Sequence, residues 1–246
     1  MLESIAPVWL AAGGALLGAI LGSFIAALCV RWPEGRSVMR GRSSCDHCGY
    51  QPRPHEMIPI LSWVALRGQC SQCKARIDRV HPWAEIAGAA IGGAAFLLLP
   101  VPQAAFYALF GWLALPLILL DFRHHWLPDR LTLLLAMAGL AVLVWVRPDD
   151  LLLHLAASAI AFALLEGMRR YYRHIRNVEG MGEGDPKLIG AITLWTGPYL
   201  LPAILLLASG GGLIWYLLAG KRAPERFPLG ALMLLGALAA LPFGLN

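Results

Sequence analysis

Apolar runs close to the length of a bilayer span recur along the chain, at 7–29, 83–100, 103–120, 131–146, 151–168, 186–201, 203–219 and 228–245. Each predicts a helix, because a segment crossing hydrocarbon must satisfy its backbone polar groups internally. The stretch 186–219 has to hold two short helices. Its break is expected around Gly197, Pro198 and Pro202, with Gly210 to Gly212 as an alternative turn. Between the first two runs lies a long polar interruption, 30–82, rich in Pro, Gly, Arg and Ser. The pattern predicts an all-α polytopic membrane protein of about eight transmembrane helices. Its domains read as a first transmembrane helix (1–29), a small insertion (30–82) and a transmembrane helical bundle (83–246).

Composition agrees: 58% of the 246 residues are hydrophobic and 14% charged, against about a quarter charged in soluble domains. The mean hydropathy is +0.63. A soluble globular class is excluded. The net charge of +5 is not read as nucleic-acid affinity, because the basic residues are distributed as a topology signal. Of 20 Lys and Arg, nine fall in 31–79, two in 121–130, five in 169–187 and three in 221–226, leaving Arg147 alone on the other side. Positive charge is retained on the cytoplasmic face, so those four segments should be cytoplasmic and both termini outside. A seven-span count would break this alternation. The first run has Glu3 before it, Arg31 after it and no basic leader, which fits an uncleaved helix better than a secretory signal. Membrane lipid is thus an expected partner, with several of the nine Trp near span ends as interfacial anchors. Runs such as Gly88-Ala89-Ala90-Ile91-Gly92 suggest close helix packing.

The insertion carries Cys45-x-x-Cys48 and, after 21 intervening residues, Cys70-x-x-Cys73. Two such pairs can close a tetrahedral zinc site with four thiolates. An insertion too small for a large core gains a staple from such a site, and cytoplasmic placement argues against two permanent disulfides. With four protein ligands, the zinc would be structural and not a catalyst. His47 and His55 are nearby substitutes, and Cys29, inside the first run, reads as a small buried hydrophobe.

Carboxylates against or inside a bilayer are costly enough to be functional candidates. Those abutting or entering spans are Glu85, Asp121, Asp129, Glu166 and Asp185. Asp121 ends the run Leu115-Pro116-Leu117-Ile118-Leu119-Leu120. Asp185 ends Gly182-Glu183-Gly184-Asp185, just before the apolar stretch from Leu188. Both sit at ends of helices expected to be cytoplasmic. Gly182 and Gly184 permit unusual dihedrals and close approach, and a carboxylate is favoured at a helix N-terminus. Two aspartates brought together can share one proton. The ionised one then activates a water that attacks a peptide carbonyl, and the protonated one donates to the carbonyl oxygen. Asp129 is expected to N-cap the following helix or to hydrogen-bond near the site. Glu166 could pair with Arg169 or Arg170. His124 and His125 beside Asp121 could suggest a metal cluster, but interfacial polarity explains them more cheaply.

Taken in order, these residues resemble the type IV prepilin peptidases, bifunctional leader peptidases and N-methyltransferases of the Gly-x-Gly-Asp aspartic protease class. Gly22-Ser23-Phe24 with Arg31-x-Pro33 resembles the first-span signature. The cysteine pairs flank Ile58-Pro59-Ile60-Leu61-Ser62-Trp63, and the block runs on to Pro82 and Glu85. Asp121 with Leu127-Pro128-Asp129-x-Leu131-Thr132-Leu133 is similar to the segment holding the first catalytic aspartate. Glu179-Gly180-Met181-Gly182-Glu183-Gly184-Asp185-x-Lys187-Leu188 is similar to that holding the second. The resemblance covers residues 22 to about 197. It implies Asp121 and Asp185 as the catalytic pair, with Gly182, Gly184, Asp129 and Lys187 shaping the site. It also implies a zinc-binding cytoplasmic loop, and a prepilin or pseudopilin substrate cut after a glycine where basic leader meets apolar helix. The family's second activity methylates the new amino terminus with S-adenosylmethionine. Here the chain departs from the pattern: Ala26 and Met57 stand where the family has asparagines, and Ile77-Asp78-Arg79-Val80-His81-Pro82 differs from the usual arrangement. These departures lie away from the two aspartates and bear on methylation, not on proteolysis.

Three rivals remain at this level. A preflagellin-like peptidase is disfavoured by the paired cysteines and the long first loop. A zinc-stabilised membrane scaffold without proteolysis predicts that Asp121 and Asp185 tolerate neutral isosteres. A proton-coupled transporter lacks a matched acidic pathway across the membrane.

Overall fold

A computed structural model describes residues 6–38, 42–176, 181–219 and 227–244. Glu179 and Gly180 of the second aspartate motif lie outside the described residues, as do Glu3, Arg40 and the basic residues of 221–226. The helices are α1 (Ala6–Arg31), a short α2 (Leu61–Ala65), α3 (Val80–Leu98), α4 (Val101–His124), α5 (Asp129–Val146), α6 (Leu151–Arg176), α7 (Asp185–Ala219) and α8 (Leu229–Gly244). Five of these segments are long and apolar enough to cross a membrane: Pro7–Glu34, Val101–His124, Asp129–Val146, Pro148–Arg176 and Asp185–Leu218. With polar residues such as His81 and Glu85 in its first turns, α3 falls outside that group, and α8 is a shorter apolar helix. The protein is an all-helical integral membrane protein.

One of these helices is two. Gly197 breaks α7 with φ 67° and ψ −179°, followed at once by Pro198. Counting its halves separately gives eight long helical segments, as the apolar pattern predicts. Gly210 to Gly212, the alternative turn, stays helical. Pro198 supplies the reason for the choice: it has no N–H to donate and cannot continue the ladder, whereas three glycines only weaken one.

Contacts divide the chain into two units, 1–108 and 109–246. In the first, α1 and α3 run antiparallel with glycine against glycine. A Cβ on Gly14 would stand 2.7 Å from the Gly92 carbonyl, one on Gly22 would collide with the Ala84 carbonyl, and one on Gly88 with that of Gly18. This four-residue spacing of small residues lets the backbones touch. Ala26 and Cys29 are fully buried on the same helix.

In the second unit the leading half of α7 is the centre, with Leu188, Ile189, Ile192 and Thr193 fully buried. Trp195 stacks edge-on against Phe110 of α4, with ring centroids 5.4 Å apart, and donates its indole N–H to the Leu135 carbonyl of α5 at 2.9 Å. Ser158 of α6 donates to the Gly190 carbonyl at 2.8 Å. Gly236 lets α8 close on Ile204 in the trailing half of α7. At the end of α4, Phe122 packs on Trp215, and Trp215 on Phe227.

Candidate active site and metal centre

Asp121 lies in the last turn of α4. The helix stops just beyond it because His125 adopts φ 48° and donates its N–H to the Asp121 carbonyl at 2.9 Å. That cap fixes the backbone of Asp121, and the surrounding helices cover its side chain, which is 5% exposed. The carboxylate accepts the main-chain N–H of Ala231, in the first turn of α8, at 2.7 Å on Oδ2. The first turn of α8 thus offers an anion-binding end to a carboxylate from another helix.

Asp185 is the first residue of α7, 6% exposed, with the helix opened by the Leu188 N–H on the Gly184 carbonyl. Its Oδ2 turns back to accept the Gly182 N–H at 3.0 Å. Gly182 leaves room for this, since a Cβ there would stand 3.2 Å from that oxygen. Gly184 is needed for closeness: a Cβ there would meet the Leu127 side chain at 2.7 Å. Leu127 also approaches Gly230, which faces Leu188 and Asp121 Oδ2. One leucine and two glycines therefore connect the surroundings of the two aspartates. A pair so placed can accept a proton on one member while the other donates.

Asp129 is not a cap. The N-cap of α5 is Pro128, without a side-chain bond, because its fixed φ already suits helix entry. The Asp129 carboxylate instead binds Lys187 at 2.7 Å, tying α5 to the first turn of α7. Glu166 pairs with both Arg169 (2.9 Å) and Arg170 (2.6 Å), and Arg169 reaches Glu183 between the two glycines at 3.1 Å. Glu85 is buried and accepts the Ile60 N–H at 2.6 Å. Gly230 and Ala231 were not signalled by the sequence, where a glycine opening a final apolar run is one among 26. Nothing short of the packing distinguishes it.

The four cysteines converge. Each pair forms the same turn: the N–H four residues on returns to the first cysteine's carbonyl (Gly49 to Cys45 at 2.9 Å, Lys74 to Cys70 at 3.0 Å). Both of those residues have positive φ, 71° and 61°. Cys45 and Cys73 sulfurs are 3.8 Å apart, Cys48 and Cys70 4.0 Å, and all four lie within 4.8 Å of one another. Tetrahedral Zn–S bonds of about 2.3 Å put sulfurs about 3.8 Å apart, so the donor set fits zinc. The Cys73 and Gln72 N–H groups draw the Cys70 thiol down to about 7. Among the described residues no other His, Cys, Asp and Glu group is close enough to hold a metal, so His124 and His125 form no cluster with Asp121.

In the first unit a cavity of about 760 Å³ opens between α1, α3 and the insertion, lined among others by Arg31, Glu34, Trp63, Arg76, Asp78 and Glu85. Among the described residues the Trp63 indole N–H has no hydrogen-bond partner there.

Comparison with known proteins agrees with this division of the chain. Residues 16–99 match the bacterial peptidase A24 N-terminal domain, and residues 107–217 match the type IV leader peptidase family. A prepilin leader peptidase/N-methyltransferase of Burkholderia pseudomallei is 35% identical over 209 residues, covering 82% of this chain and 67% of the relative. One of the same name from Dichelobacter nodosus is 31% identical, covering 89% and 77%. A type 4 prepilin-like proteins leader peptide-processing enzyme of Escherichia coli O78:H11 is 31% identical, covering 91% and 90%. No solved structure matches significantly. The chain belongs to the type IV leader peptidase family.

Proposed function

We propose that this protein is a prepilin leader peptidase whose two aspartates, Asp121 and Asp185, activate the water that hydrolyses the leader bond. The observation that carries this is the burial of both carboxylates at helix ends whose surroundings Leu127 joins. Each is fixed by a main-chain N–H, from Ala231 and Gly182. Those bonds set the carboxylate planes, so one aspartate can take a proton from water as the other gives one to the substrate carbonyl oxygen. The roles exchange when the new amine leaves, and no covalent intermediate is needed.

The proposed substrate is a prepilin or pseudopilin, with a basic leader ahead of an apolar helix, and the names of the relatives support the prepilin class. A site at a helix end suits a substrate whose own helix stays in the bilayer. The clustering of Lys and Arg supports a site at the cytoplasmic face of a bacterial inner membrane. Zinc is the metal proposed for the four cysteines.

The relatives' second named activity is that of an N-methyltransferase, and the methyl donor proposed here is S-adenosylmethionine, a zwitterion with a cationic sulfur. The cavity of the first unit offers suitable partners: Arg31 or Arg76 for a carboxylate, Glu34 or Glu85 for cationic centres, and the unpartnered Trp63 N–H for an acceptor.

Cleavage of a co-expressed prepilin by wild type, Asp121→Asn and Asp185→Asn tests the aspartate pair. Loss of cleavage in both variants at normal membrane abundance is the expected result. Cleavage retained in both would reduce the family likeness to a shared fold. Mass spectrometry of the processed amino terminus reads methylation separately.

A further inference from the structure

We infer that the segment Met57–Ala65 is a membrane-surface anchor, which seats the cysteine insertion on the bilayer by pushing an apolar stripe into the lipid interface. Ile58, Leu61 and Val64 recur every third residue, and all three are exposed, Leu61 at 67% and Val64 at 62%. They belong to the one polar insertion of the chain, where such a stripe has no reason to face water. The opposite side of the segment is occupied: Ser62 and Trp63 line the cavity, and Glu56 accepts bonds from Tyr50 at 2.9 Å and from the Arg53 N–H at 2.7 Å.

Lipid is the occupant because of where the stripe is held. Ile60, the residue capping α2, adopts φ 65°, a left-handed conformation that a β-branched residue enters only when the surroundings impose it. The bond from its N–H to buried Glu85 imposes it. Glu85 lies five residues into α3, roughly 8 Å along the axis from Val80 at 1.5 Å per residue. The start of α2 is therefore pinned beside the polar first turns of α3, at the point where its apolar course begins. Trp83 and Ile86, next to Glu85 in the sequence of α3, are themselves exposed and apolar. Arg53 and His55 before the stripe and Arg67 after it are exposed as well. An apolar face flanked by cationic residues is the composition of an interfacial helix against anionic headgroups. The inference is independent of the aspartate pair and of the client.

The test is photo-crosslinking of the full-length protein in its native membrane, with p-benzoylphenylalanine placed singly at Leu61 and Val64. Exposed Gln51 and Gln69, off the stripe, serve as controls. Membrane abundance and zinc content verify each variant, and position 58 is read instead if one fails to accumulate. Phospholipid adducts at 61 and 64 several-fold above those at 51 and 69 are expected. Adducts to a pilin or another protein at 61 and 64, or lipid adducts at no more than the control level, would overturn the assignment.

Discussion

The Nδ1 atom of His154, buried in α6, lies 3.1 Å from the main-chain carbonyl oxygen of Leu194 in α7. A carbonyl can only accept, so Nδ1 carries the proton. The bond exists because Pro198 stands four residues after Leu194 and has no N–H to give it. Gly197 completes the fit: a Cβ there would stand 2.8 Å from His154 Nε2. A histidine from one helix thus replaces the donor that a proline removes from its neighbour.

His154→Ala should therefore destabilise the second unit by about 1–3 kcal/mol, the cost of an unsatisfied buried acceptor. Gly197→Ala should do likewise, through its φ of 67° and the collision with the imidazole. Thermal unfolding in detergent measures both, and cleavage per folded molecule should stay close to wild type, since Asp185 lies three helical turns away. An unchanged melting temperature in His154→Ala would mean that the Leu194 carbonyl has another donor.

Gly230 offers a sharper probe of the aspartate site. An alanine there would put Cβ 2.6 Å from Leu127 Cδ1, 3.1 Å from Leu188 Cδ2 and 3.2 Å from Asp121 Oδ2. The leucine tips can yield, but only by disturbing the packing around the carboxylate. Overpacking typically costs about 1–3 kcal/mol of stability, and a loss of about 1.4–2.7 kcal/mol of transition-state stabilisation from a displaced Asp121 would lower the cleavage rate by about ten- to a hundredfold. Gly211→Ala, whose nearest neighbour would be at 3.8 Å, serves as the neutral comparison. Equal rates for both variants would show that Gly230 has no part in holding Asp121.

Much of this was legible in the chain because it depends on local chemistry. Apolar run length gives the spans, and Gly197-Pro198 gives the break within α7, since both residues act on their own backbone. Cysteine spacing gives the four-cysteine cluster for the same reason. What could not be read is what depends on distant partners. Ala231 is 110 residues from Asp121, and a backbone N–H carries no side-chain signature. Asp129 read either as a cap or as a hydrogen-bonding residue near the site, and only the fold decides: Pro128 is the cap and the Asp129 carboxylate binds Lys187. His154 looks like any polar residue in a span until its neighbour's missing donor is known.

The cysteine centre should carry about one zinc per chain, lost in Cys45→Ser and in Cys70→Ser, as elemental analysis of purified protein will show. The sulfurs of the two knuckles lie against one another, so a metal held there would crosslink them. Chelation should therefore render 42–78 sensitive to limited proteolysis. The α1–α3 pair should resist, because its glycine contacts do not involve the metal. A chelated insertion that remained protease-resistant would show that packing, including Glu56 with Tyr50, holds the fold by itself.

The Lys187–Asp129 pair invites over-reading, because Lys187 lies two residues from Asp185. It is exposed, at 45% for the lysine and 71% for the aspartate, and such pairs contribute about 0–1 kcal/mol. Its charge is directed at Asp129, away from the carboxylate of Asp185, which is held by Gly182. Lys187→Ala should accordingly change cleavage only slightly. Lys187→Glu should do more harm, by setting two acids against each other where α5 meets α7. Asp129→Lys combined with Lys187→Glu should then recover most of the loss, giving a coupling energy by a double-mutant cycle. If Lys187→Ala alone abolished cleavage and the reversed pair did not restore it, Lys187 would have to act on Asp185 or on the substrate directly.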